Sequence, residues 1–155
     1  MKIRVNVVGD PQGQPRHRAA SLGGHARVYN PTRRADGRIH PIVPWREAIK
    51  AAAMKRRPES PMTGPVSCEI TLRFRRPKSH YGTGGNLGKL KASAPYWHTK
   101  KPDRDNADKA VLDVLTECCY WLDDAQVCDG GVRKRYVTPG EVPGATIAVC
   151  EITPA

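Results

Sequence analysis

Aromatic residues make up only 6% of the 155 positions, with a single phenylalanine, and hydrophobic residues reach just 39%. No apolar run approaches the roughly 18 residues that a membrane span needs, so no transmembrane segment is expected. The opening MKIRVNVVGD alternates in polarity from its first residues, unlike the continuous apolar stretch of a signal peptide, and the protein is expected to stay in the cytoplasm. The five cysteines, Cys68, Cys118, Cys119, Cys128 and Cys150, are odd in number and form no CxxC pair. That excludes a disulfide framework and favours reduced, buried thiols. No spacing among these cysteines and His17, His25, His40, His80 or His98 matches a structural zinc site.

Negative charge is also scarce. Fifteen acidic residues face 26 lysines and arginines, for a formal net charge of +11. A field of that sign selects polyanionic partners, because phosphate contacts release counterions; the plain alternative is a soluble basic protein with no nucleic acid partner. The length suits one domain, residues 1–155. Fourteen glycines and fourteen prolines predict long loops around a modest core.

KIRVNVV sets Ile3, Val5 and Val7 against Lys2, Arg4 and Asn6, the two-residue period of a half-buried strand. The stretch from Gly9 to Pro41, rich in arginine, glycine and proline, reads as a long basic loop. A helix is expected from about Pro44, with Trp45, Ile49, Ala52 and Ala53 on one face and KRRP at its end. VSCEITLRF alternates most strongly, with Val66, Cys68, Ile70, Leu72 and Phe74 inward. The glycine- and lysine-rich segment after it reads as an exposed, mobile loop. A second helix is expected near Asp105, with Asp105 as N-cap and Ala107, Val111, Val114, Leu115 and Cys118 inward. QVCDGGVRKRYV and ATIAVCEI complete the pattern as two strands. This order predicts a single small α+β domain, a mixed sheet packed against two main helices with long basic loops.

GTGGNLGK imitates a phosphate-binding loop and fails: five residues separate Gly82 from Gly88, Leu90 stands where Ser or Thr should hold magnesium, and no helical pattern follows. A flexible glycine loop is the better reading. The segment KPDRDNADKAVLDVL is different, for it gathers Asp103, Asp105, Asp108 and Asp113 around Lys109 in a chain short of acid. Asp103 and Asp105 flank Arg104, so in extended backbone their side chains point the same way and can share a cation. Close carboxylates repel unless positive charge lies between them. Lys109, one helical turn after Asp105, can lean toward the same spot. Asp108 suits the helix dipole and Asp113 is the i+4 partner of Lys109, which makes both structural.

A third carboxylate is expected from YWLDDAQV, where Asp123 and Asp124 in an extended strand would face opposite ways, so that one reaches the site. Hard oxygen ligands suit Mg²⁺, or Mn²⁺, with waters and substrate phosphate completing the shell. The competing interpretation makes D-x-D-N a capping turn and DD a surface turn, in a non-catalytic basic nucleic-acid-binding protein.

HTKKPDRDNADKAVLDVL, followed by WLDDAQV and KRY, resembles the RusA family of Holliday junction resolvases, small cytoplasmic endonucleases of bacteria and their phages. The resemblance extends weakly to GQPRHR and RRPKSHY. It implies a homodimer of mixed α/β subunits that cuts four-way DNA junctions with magnesium, in recombination and repair. By position, it makes Asp103, Asp105 and Asp124 the metal-binding catalytic carboxylates and Lys109 the essential lysine. The long basic loop and the long Gly-rich loop depart from the family pattern. Affinity for branched DNA is expected from Arg16, Arg18, Arg27, Lys89, Lys91, Lys100, Lys101, Lys134 and Arg135 acting together. A less selective nuclease, acting on flaps or other branched DNA, is the second enzymatic possibility.

Overall fold

The computed structural model describes residues 1–152, the side chain of Leu22 aside; the last three positions of the expected 1–155 domain lie outside the described residues. Four strands form the main sheet: β1 (Lys2–Val8), then, after a hairpin treated below, β4 (Val66–Phe74), β5 (Val127–Tyr136) and β6 (Gly144–Glu151). Their order is β1-β6-β4-β5. β6 runs antiparallel to β1 and β4, whereas β4 and β5 are parallel, which makes the sheet mixed, as expected.

The alternation read in the sequence decides which face is dry. Val5, Val7, Val66, Cys68, Ile70, Leu72, Phe74, Val132, Ile147 and Val149 are all buried on one side, and α1 (Ile42–Met54) and α2 (Arg104–Glu117) contribute to the same core. The opposite face keeps polar cross-strand contacts, with Arg73 donating to Thr146 Oγ1 at 2.7 Å and Arg133 pairing with Glu69 at 2.7 Å. A sheet with one face packed and one wet fits the period of two.

α1 begins two residues before the expected Pro44 and buries Ile42, Trp45, Ile49 and Ala53 at three- and four-residue spacing, while Ala52 is half-buried. KRRP follows the helix instead of forming its last turn. α2 buries Ala107, Ala110, Val111, Val114 and Leu115, and its N-cap is Asp103, not Asp105. Asp103 is the last extended residue (φ −66°, ψ 154°), and its carbonyl accepts the Ala107 N–H at 3.0 Å, which closes the first helical turn.

Two expected loops are more structured than their composition suggested. Within the basic stretch, β2 (Arg18–Leu22) and β3 (His25–Tyr29) form a hairpin about Gly23 and Gly24, both at positive φ. That is the conformation a two-residue hairpin turn demands, and glycine reaches it without strain. The segment after β4 is folded on itself through short 3₁₀ turns at Lys78–His80 and Gly84–Asn86, with isolated bridges Tyr81↔Leu90 and Gly82↔Leu87. Arg76 holds it down: buried, it donates to the carbonyls of Val137 and Pro95 at 2.8 Å and lies 5.2 Å above the Tyr136 ring.

Candidate active site

The start of α2 is held from two sides. From β5, Lys134 Nζ donates to the Lys100 carbonyl at 2.7 Å and to the Pro102 carbonyl, directly before Asp103. The same ammonium lies 6.0 Å over the Phe74 ring; burial lowers its pKa, against the opposing pull of the Asp103 carboxylate. From the N-terminal side the chain passes so close that a Cβ on Gly13 would stand 2.6 Å from Pro102 Cβ, and Gln14 N–H donates to the Asn106 carbonyl at 2.8 Å. Only glycine permits that approach. Asp103 occupies the N-cap position, yet its carboxylate makes no capping bond. Asp105 and Lys109, four residues apart, are exposed on the helix side turned away from the buried residues.

The adjacent pair Asp123 and Asp124 lies in a 3₁₀ turn, not in the strand expected. Asp123 Oδ1 accepts Ala125 N–H at 2.8 Å, and Gln126 Oε1 accepts the N–H groups of Leu122 and Asp123 at 2.8 and 3.1 Å. Gln126 Nε2 in turn donates to the carbonyls of Met62 and Gly64 at 3.0 and 2.9 Å, pinning the turn to the body. The pair is thereby split: the Asp123 side chain builds the turn, and the Asp124 carboxylate is exposed with no bonded partner among the described residues.

Asp124 lies beside α2, lining a cleft with Arg104, Asp108, Leu112 and Asp129. Burial raises the carboxyl pKa of Asp113; Lys109 and Arg46 oppose this and Asp124 adds to it, so Lys109, Asp113 and Asp124 feel one another. Asp113 is not held by Lys109 as expected. It faces Arg46 of α1 at 3.8 Å, and Glu117 binds the same guanidinium. Asp108 is half-buried, its pKa raised by burial against the pull of Arg104.

Six carboxylates are ion-paired among the described residues: Asp113 and Glu117 with Arg46, as above, and Asp10 with Arg75, Asp36 with Arg38, Glu69 with Arg133, and Glu141 with Arg135. The carboxylates of Asp103, Asp105 and Asp124, like that of half-buried Asp108, accept no hydrogen bond and join no ion pair among the described residues, although the chain carries a large cationic excess. Lys109 is likewise without a bonded partner among them. As a donor set, the three offer exposed, uncommitted hard oxygens, which fits Mg²⁺, an ion that takes one or two protein carboxylates and fills the rest of its shell with water and phosphate. Among the described residues, no group of three His, Cys, Asp or Glu side chains is positioned to hold a metal ion. The single chain therefore holds no preassembled three-carboxylate cage.

The basic residues divide in the same manner. Arg16, Arg18 and Arg27 are exposed on or beside the hairpin, and Lys89, Lys100 and Lys101 are exposed on the loop leading to Asp103. Lys91 donates to the Ser79 carbonyl at 3.0 Å. Lys134 anchors Pro102, as described. Arg135 makes a bidentate pair with Glu141 at 2.6 and 2.7 Å, its side chain only 15% exposed. Both are tied into the fold. Of the cysteines only Cys68 and Cys118 are buried; burial pushes the Cys68 thiol up to about 12, and Cys128 is exposed. The expectation of buried thiols fails because Cys119 falls on a turn, Cys128 on the edge strand β5, and Cys150 on the face of β6 opposite the buried Val149. Gln126 was missed as a residue of the site's frame; the S/T/D-x-x-E/Q spacing of Asp123 and Gln126 is the signal that would have found it.

An arginine-rich surface beside exposed carboxylates, on one small α+β domain, suits a protein that handles a polyanion. Residues 9–149 match the model of the family described as Endodeoxyribonuclease RusA. The chain belongs to that family. It is 30% identical over 152 residues to the uncharacterized protein YqaN of Bacillus subtilis, covering 97% of each chain. It is also similar to the crossover junction endodeoxyribonuclease RusA of Escherichia coli K12, with 51% identity over 41 residues, 26% of this chain and 34% of that protein. The same identity and coverage relate it to the crossover junction endodeoxyribonuclease of Enterobacteria phage 82. No helix among the described residues is long and apolar enough to cross a membrane.

Proposed function

We propose that this chain is a magnesium-dependent endonuclease that resolves four-way DNA junctions by paired phosphodiester hydrolysis, acting in recombination and repair on a bacterial or prophage genome. The observation that supports this reading is that the carboxylates of Asp103, Asp105 and Asp124 are exposed and make no hydrogen bond or ion pair among the described residues, Asp103 and Asp105 at the start of α2 and Asp124 along its flank. Those three would hold Mg²⁺, with Mn²⁺ as a substitute. When bound, the ion supplies Lewis-acid polarisation of the phosphate and acidifies water. Lys109 presents its ammonium on the Asp105 side of the helix, where it offsets negative charge growing on the phosphoryl oxygens. Lys134 holds the segment before Asp103, fixing where that carboxylate leaves the backbone.

A homodimer suits this substrate, since a two-fold axis sets two identical sites on opposed strands of the junction. Cleavage of a four-way junction, a flap and a linear duplex, compared at equal salt, tests the proposal. Paired symmetric nicks confined to the junction are expected. Equal cutting of flap and junction would make the enzyme a general branched-DNA nuclease, and magnesium-insensitive binding without any cutting would reduce it to a binding protein.

A further inference from the structure

Asp103 lines a cleft of about 540 Å³ together with Gln12, Arg16, His40, Lys101 and Asn106. A second cleft, lined by Arg16, His17, Arg18, Arg33, Arg34 and His40, meets it, because Pro15, Arg16 and His40 belong to both walls. Among the described residues Asp103 is the single acidic one lining either. The path therefore leads from the unpaired carboxylate at the start of α2, past Arg16 and His40, to the foot of the β2–β3 hairpin at Arg18.

Its walls are built to receive an anion. Among the described residues the side chains of Arg16, Arg18 and Arg34 make no hydrogen bond or ion pair, whereas Arg33 donates to the Gly37 carbonyl at 2.8 Å. Cations gathered around one cleft repel each other until an anion enters. His40 sits where the clefts meet. Its Nδ1 accepts the Ile42 N–H at 3.1 Å, which places the ring proton on Nε2 and makes that nitrogen a donor. Burial first, then Arg34 and Arg18, lower its pKa and keep the ring neutral near pH 7. The wall thus offers arginine forks and a neutral N–H, the groups that bind phosphodiester oxygens.

We propose that the joined clefts are a track for the sugar-phosphate backbone of the cut strand, with Arg16, Arg34 and His40 contacting phosphates to one side of the scissile bond. This rests on the nuclease reading above, and adds to it a direction in which the strand leaves Asp103 and contacts by Arg34 and His40.

The test uses synthetic four-way junctions carrying one neutral methylphosphonate linkage at successive positions on either side of the cut, with binding measured in EDTA and cleavage in magnesium. On one side only, one or two neutral linkages should weaken wild-type binding about tenfold, the scale of a lost charge-assisted hydrogen bond. Arg34→Gln and Arg16→Gln should bind intact and substituted junctions equally, each with its salt slope reduced by about one. His40→Gln, which keeps a donor, should bind better than His40→Phe. If the penalties of linkage and side chain add at every position, or both arginine variants keep the wild-type slope, the track is overturned. If the coupling appears but wild type never cuts, the track stands and the nuclease reading falls.

Discussion

Asp123 and Gln126 close a reciprocal capping box, each side chain bonded to the other's end of a three-residue turn, and the carboxylate of Asp124 between them has no bonded partner among the described residues. Adjacent acids of the same type therefore have separable roles. Asp124→Asn should abolish junction cleavage and leave the melting temperature unchanged. Asp123→Ala should cost about 0.5–2 kcal/mol of stability, the value of a lost N-cap, and retain cleavage at temperatures where it is folded. Parallel thermal melts and cleavage rates check both halves.

Lys134 was expected among the DNA contacts, and its bonds to the carbonyls of Lys100 and Pro102 predict a positioning role beside Asp103. Lys134→Met keeps the stem over Phe74 and removes both donations. The turnover rate should fall while the junction Kd stays within about threefold, and the salt slope should not move, whereas a phosphate contact would lower the slope by about one. Lys134→Arg should restore part of the rate.

His98 stacks on Phe74 with centroids 3.8 Å apart and packs edge-on against Tyr136. Burial, then the neighbouring Lys134, lower its pKa from 6.5 to about 4. The folded value lies below the unfolded one, so the unfolded chain takes up the proton first. Its contribution is fully present above about pH 6.5 and is lost as pH falls toward 4, with a slope of at most about 1.4 kcal/mol per pH unit. His98→Phe should flatten that part of the stability curve, and it removes a ring Nδ1 that is buried without a partner among the described residues. Chemical denaturation at a series of pH values measures it.

Glu141 takes both guanidinium bonds of Arg135 and the Thr138 N–H at 2.8 Å. The Arg135 bonds foremost, and then the Thr138 N–H, hold its carboxyl far below the ordinary 4.5. Because the folded pKa is depressed, this stabilisation is complete above pH 4.5 and declines below it. Glu141→Gln should cost about 1.5–3 kcal/mol at pH 7, the range for hydrogen bonds to charged groups, with a smaller difference from wild type by pH 3. Denaturant midpoints at the two pH values decide it.

The parts of this molecule that were legible in its sequence are those set by periodicity. The alternation of Val66 to Phe74 became the buried face of β4, and the spacing of Ala107, Val111, Val114 and Leu115 became the inner face of α2. Elements stabilised by single long-range bonds were not legible. Arg76 lies in RRPKSHY, which the resemblance touched only weakly, yet it organises the segment after β4 through carbonyls of Pro95 and Val137, which no local pattern reveals. The hairpin was hidden by its arginines, although Gly23-Gly24 between two short runs is a turn signal. The chemistry of the D-x-D-N-x-x-K run was suggested by residue type, whereas the roles of Asp123, Asp113 and Lys134 depended on partners 3, 67 and 32 residues away.

A magnesium titration of four-way junction cleavage, run side by side on wild type and Asp105→Asn with binding followed in parallel, tests the three-carboxylate site most directly. Wild type should cut only with the ion present, and the variant should bind the junction normally while cutting at least a hundredfold more slowly at every magnesium concentration, about 2.7 kcal/mol in the barrier. Wild-type cleavage rates from the variant, or undiminished cutting by wild type in EDTA, would contradict it.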